Sequence, residues 1–110
     1  MIHEAWNNTR ILGSSTLVVI NLPKTGDQIY TSYIGDSGYI ILRQKDQQVN
    51  LVHASETQQK AFNFPFQLGW AGNGDTAEAS LSYNHTVQSG DIVVAGTDGL
   101  FDNMSPIQVA

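Results

Sequence analysis

The chain has 110 residues, no cysteine and a formal net charge of −5, which excludes a disulfide framework, a zinc-thiolate site and a cysteine nucleophile. Five Lys/Arg against ten Asp/Glu, with no basic cluster, leave no surface for nucleic-acid phosphates. No apolar run reaches the roughly 20 residues of a membrane span, and the opening residues lack the layout of a signal peptide. The acidity is uneven. Residues 1–60 hold every base (Arg10, Lys24, Arg43, Lys45, Lys60) and five acids (Glu4, Asp27, Asp36, Asp46, Glu56), so the −5 belongs entirely to Asp75, Glu78, Asp91, Asp98 and Asp102. Within residues 61–110 no base can neutralise those carboxylates. Surface scaling for 12.0 kDa gives about 6,000 Å² folded against roughly 17,400 Å² unfolded, enough burial for one small domain.

In chain order, Met1–Arg10 carries Ile2, Ala5 and Trp6 at near-helical spacing and reads as the closing part of a helix. Ser15–Leu22 is β-branched and apolar, a buried strand followed by Pro23-Lys24-Thr25-Gly26-Asp27 turn chemistry. Gln28–Ile34 and Tyr39–Arg43 are strands around a Gly35-Asp36-Ser37-Gly38 corner, and Val49–His53 is a fourth. From Ala54 to Ala79 the pattern dissolves into a loop around the aromatic run Phe62-Asn63-Phe64-Pro65-Phe66, which reads as a satellite core pinning that loop. Leu81–Val87 and Ile92–Thr97 are strands joined through Ser89-Gly90-Asp91. Ser105-Pro106 reads as an N-cap and first helical position at the very end.

Asp98 stands at the end of the apolar strand Ile92-Val93-Val94-Ala95, and Asp102 follows four residues later, so both carboxylates can point at one spot. Hard divalent cations take oxygen ligands, and Gly99 leaves backbone room beside them; an ordinary Asp-Gly turn is the plain alternative. Gly35-Asp36-Ser37-Gly38 shares letters with a serine-protease nucleophile context, but Tyr39-Ile40 follow and no cysteine supports that scaffold; a glycine-flanked strand corner is the simpler reading. Gly72-Asn73-Gly74-Asp75-Thr76-Ala77 matches a phosphate loop only by letters, since it neither follows a clear strand nor opens an amphipathic helix. His3, His53 and His85 lack metal-ligand spacing and read as structural or surface residues. Asp75, Glu78 and Asp91 read as ordinary loop acids.

Three ordered blocks, Gly13-Ser14-Ser15-Thr16-Leu17, Tyr33-Ile34-Gly35-Asp36-Ser37-Gly38 and Gly96-Thr97-Asp98-Gly99-Leu100-Phe101-Asp102-Asn103-Met104, together resemble the metal-dependent type 2C protein serine/threonine phosphatases (PPM). The run Phe62 to Leu68 between the second and third points to the Ptc7-like branch. The resemblance implies an α+β fold, a partial α-β-β-α sandwich of antiparallel sheets flanked by helices, with residues 1–110 as a partial catalytic domain. It implies a magnesium or manganese centre at one sandwich end, where metal-activated water attacks the phosphorus of phosphoserine or phosphothreonine in a protein substrate. By match to the motif, Asp98 is a ligand of the catalytic centre, and Asp36, Asp98 and Asp102 share a further metal site. Gly38 stands where many members have arginine, and the family's upstream Asp-Gly block and later Asp-Asn block have no counterpart here. The expectation is therefore an internal fragment, inactive alone, with a non-catalytic metal-binding or interaction module as the alternative. Branch relatives act in mitochondria or chloroplasts, so either compartment is compatible with the resemblance.

Overall fold

A computed structural model describes residues 1–24, 26–61, 64–70, 72 and 74–109. Helix α1 (Ile2–Asn8) leads into β1 (Ser14–Ser15), β2 (Leu17–Asn21), β3 (Gln28–Ile34), β4 (Gly38–Lys45) and β5 (Gln48–Ala54). Short strands β6 (Gln59–Ala61), β7 (Phe64–Pro65) and β8 (Leu68–Gly69) and a 3-10 turn at Ala77–Ala79 occupy the expected loop. The chain continues through β9 (Leu81–Thr86), β10 (Ile92–Gly96), α2 (Asp98–Phe101) and α3 (Pro106–Val109).

Two three-stranded antiparallel sheets, β2-β3-β9 and β10-β4-β5, carry the fold. The α+β expectation holds, with helices limited to short segments among the described residues. Alternation sets the buried side of β3 and β9, whereas β4 is buried on both faces from Gly38 to Leu42. Ile29 and Tyr33 of β3 meet Tyr39 and Ile41 of β4, with Val18, Ile20, Leu81 and Tyr83 packed around them. The opposite face of the second sheet carries the row Ile92–Leu42–Leu51, whose outer members are exposed. That open face contributes to an accessible surface of 7184 Å², above the scaling value of about 6,000 Å².

The hairpin between β4 and β5 turns on Asp46 and Gln47, both at positive φ (54° and 64°), the left-handed pair of a tight two-residue connection. Further along the hairpin the register shifts: Ile41 pairs with His53 but Leu42 with Leu51. The extra residue, Val52, is a bulge that reverses the alternation and turns His53 toward the other sheet. There the His53 and His85 rings lie 4.3 Å apart between Tyr39 and Tyr83. The Tyr39 hydroxyl bonds both Thr31 Oγ1 and His85 Nε2 at 2.6 Å. His53 Nε2 is buried with no hydrogen-bond partner. Burial holds both imidazoles below the usual histidine range, and for His85 the neighbouring His53 adds to the effect.

Two of the presumed loop acids are structural pins, which corrects the sequence reading. Arg43 Nε and Nη2 bind Asp91 Oδ1 and Oδ2 at 2.9 and 2.8 Å, and the Gln88 amide donates to the same carboxylate. Asp91's side chain is 5% exposed, and these charge-assisted bonds hold its carboxyl below the usual range. Lys60 Nζ lies 2.9 Å from Asp75 Oδ1 and sits over the Phe64 and Phe66 rings. This supports the satellite-core reading for Phe64 and Phe66; Phe62 and Asn63 fall outside the described residues. The cations for Asp75 and Asp91 are supplied by the charge-neutral half, across the fold.

Candidate metal centre

The pairing of β4 with β10 runs from Ile92–Leu42 to Gly96–Gly38. Because the strands are antiparallel, Asp36, two residues before Gly38, and Asp98, two residues after Gly96, emerge at the same sheet end. Asp98 opens α2 behind Thr97, whose Oγ1 accepts from the Gly99 amide at 3.2 Å. The Asp102 amide donates to the Asp98 carbonyl at 2.8 Å, closing one helical turn that sets the two acids on one face. Asn103 Nδ2 ties the turn to the Gly99 carbonyl.

On the other strand, Gly35 has φ +106°, and a β-carbon there would collide with Thr16 and with the Phe66 carbonyl oxygen. Only glycine fits this bend. Ser37 is buried and its hydroxyl bonds Thr16 Oγ1 at 2.7 Å. That partner is a threonine, so the corner lacks the histidine of a protease pair. A side chain at Gly38 would strike Ser55 Oγ, which accepts from the Tyr39 amide at 3.0 Å.

Electrostatics ties the acids together. Burial pushes the Asp36 carboxyl above its ordinary range, and the charges of Asp98 and then Asp102 push it further. Neither Asp36, Asp98 nor Asp102 joins an ion pair with a Lys or Arg among the described residues. Like charges held together in partial burial favour a cation between them, and an all-carboxylate donor set suits magnesium or manganese in kind. The geometry is open: among the described residues, no three acids or histidines close to within ligating reach of one ion. A recess of about 120 Å³ adjoins Asp36 and is lined also by Glu56, Phe101 and Pro106. A larger one, about 360 Å³, lies between α1 and β8 against Trp6, Ile11, Leu12 and Trp70. It is mostly apolar and carries no acid, whereas the smaller recess is lined by Asp36 and Glu56.

The sequence reading identified the acids but missed Gln58, Thr16 and Ser55, which fix the corner from other elements. Gln58 sits in a glutamine-rich loop with no local signal.

Comparison with known proteins gives the chain named relatives. The chain is 40% identical over 105 residues to the human protein named protein phosphatase PTC7 homolog, covering 89% of this chain and 33% of that one. The Arabidopsis thaliana probable protein phosphatase 2C 55 is 36% identical over 104 residues, 94% of this chain and 21% of its own length. A crystal structure titled as the photosystem II phosphatase PBCP superposes with a TM-score of 0.82 at 29% identity, covering 94% of this chain and 39% of that one. Over most of its length the chain is similar to part of the type 2C protein phosphatases, with Ptc7 homologs among them. No protein-family model matches it. The chain spans about a third of the length of the human PTC7 homolog.

Proposed function

We propose that the chain forms one side of a metal-dependent active site that hydrolyses phosphoserine and phosphothreonine in proteins. Asp98 is the ligand to the catalytic centre, and Asp36, Asp98 and Asp102 share a further magnesium or manganese site. The observation that carries this reading is the Gly38–Gly96 register, which sets Asp36 and Asp98 at one sheet end with Asp102 one turn away.

When bound, magnesium or manganese lowers the pKa of water and offsets phosphoryl charge. The rest is the work of the chain. Asp98 and Asp102 are presented by a capped turn, so little side-chain and backbone freedom is lost on ligation. Asp36 is held partly buried beside them and unpaired, which strengthens its attraction for a cation. The recess that Asp36 shares with Phe101 and Pro106 gives that carboxylate a wall that restricts water on one side.

Calorimetric titration with manganese tests the reading. The 110 residues should give saturable heat that Asp98→Ala reduces at least tenfold in affinity, as expected for loss of a ligand. Equal heats would overturn it. The isolated chain should not hydrolyse p-nitrophenyl phosphate, because one catalytic-centre ligand cannot hold the geometry. Adding the preceding segment of a Ptc7-like relative should restore manganese-dependent hydrolysis. The second reading, a non-catalytic metal-binding or interaction module, is favoured by the open ligand geometry; it predicts manganese heat with no hydrolysis in the mixture.

A further inference from the structure

Gln58, between β5 and β6, grips one residue on both sides. Its Oε1 accepts from the Gly35 amide at 2.8 Å, and its own backbone amide donates to the Gly35 carbonyl at 3.0 Å. Its Nε2 donates to the Ala79 carbonyl at 2.8 Å, anchoring the side chain to the 3-10 turn. Both polar groups of the Gly35 backbone are therefore held by a residue 23 positions away in sequence. Thr16 and the Phe66 carbonyl close around the same glycine, and Asp36 follows it directly. The amide side chain accepts from Gly35 and donates to Ala79 at once through its two terminal atoms. A carboxylate would keep the first bond, lose the second and add a negative charge behind Asp36.

We infer that Gln58 is a positioning residue for the Asp36 carboxylate. It fixes the Gly35–Asp36 bend and so sets where the Asp36 carboxylate stands relative to Asp98 and Asp102 when a divalent cation draws the three together. The inference rests on the metal-site reading above and assigns a determinant of that site's affinity to a residue that touches no ligand. Partners of this kind typically govern 10- to 100-fold of metal affinity.

The test is a manganese titration of the 110-residue chain with Gln58→Met and Gln58→Glu, each alone and combined with Asp36→Asn, all below their own melting transitions. Gln58→Met should weaken manganese binding about tenfold or more, and Gln58→Glu should fall between it and the wild type. In the Asp36→Asn background, Gln58→Met should cause no further loss, whereas a merely structural role would lower the melting temperature in both backgrounds and leave affinity untouched. Unchanged affinity in Gln58→Met with normal binding by the wild type overturns the role of Gln58 and leaves the site standing. Absent manganese heat in the wild type overturns the site reading and, with it, this inference. Hydrogen exchange of the Gly35 amide reports the grip without metal: protection lost in Gln58→Met supports it, and equal exchange in wild type and variant overturns it. If Gln58→Met does not fold, Gln58→Glu carries the comparison, and wild-type affinity in that variant overturns the inference.

Discussion

The β4–β10 pair treats its two ends in opposite ways. At one end Asp91 meets Arg43 in a two-pronged ion pair, with the carboxylate almost sealed from solvent. At the other, Asp36 faces Asp98 and Asp102 with no Lys or Arg paired to any of them among the described residues. The first end has its counter-charge built in and is a fastening. The second has like charges held together by backbone turns, an arrangement that costs stability. The same residue type, at the two ends of one strand, is therefore neutralised by a partner in one place and stands among like charges in the other.

The corner that presents Asp36 is the least tolerant part of this contrast. Gly35→Ala introduces a β-carbon into the Phe66 carbonyl at a φ of +106°, and should destabilise the chain by about 2–4 kcal/mol. Urea denaturation measures this, and a loss no larger than a surface substitution would mean the corner is not braced as described.

At the fastened end, Arg43→Met leaves the Asp91 carboxylate without its cation and should lower the melting temperature. The pair's own pH dependence supplies the sign. The folded carboxyl titrates below its ordinary 3.8, so its contribution is present above that pH and is lost as pH falls below it. Arg43→Met should flatten that acid limb of the stability curve.

Between the ends lies the His53–His85 pair, whose titration should have a smaller effect. Both imidazoles titrate below the ordinary 6.5 in the fold, so the unfolded chain takes up protons first as pH drops. Stability should be level above about pH 7 and decline as pH falls through 6.5. The facing groups are Tyr39 and Tyr83, with Glu56 opposing the shift at His53. His53→Phe should shallow the decline. A melting temperature that is flat from pH 7.5 to 5.5 would contradict this placement of the rings.

Much of this was legible in the sequence, for local reasons. β-branched runs mark the strands, Ser105-Pro106 marks α3 through a reciprocal Ser105–Gln108 cap, and the Asp98–Asp102 spacing matches one helical turn. Three features were not legible. Strict alternation over Val49–His53 puts His53 on the same side as Leu51, and only the Val52 bulge turns it inward. The cations for Asp75 and Asp91 come from residues 15 and 48 positions earlier, which charge counting along the chain cannot pair. Gln58 carries no local pattern, because its role depends on where β3 ends and where the Ala77–Ala79 turn packs.

The most direct test compares Asp36→Asn with Asp91→Asn by thermal melting, with and without manganese. The account predicts opposite signs. Without metal, Asp36→Asn should melt at or above the wild-type temperature because it removes a partly buried charge repelled by Asp98 and Asp102; it should also lose most of the manganese-induced rise. Asp91→Asn should melt lower and keep that rise. If both variants melt lower and both respond fully to manganese, the two ends are alike and the central claim is wrong.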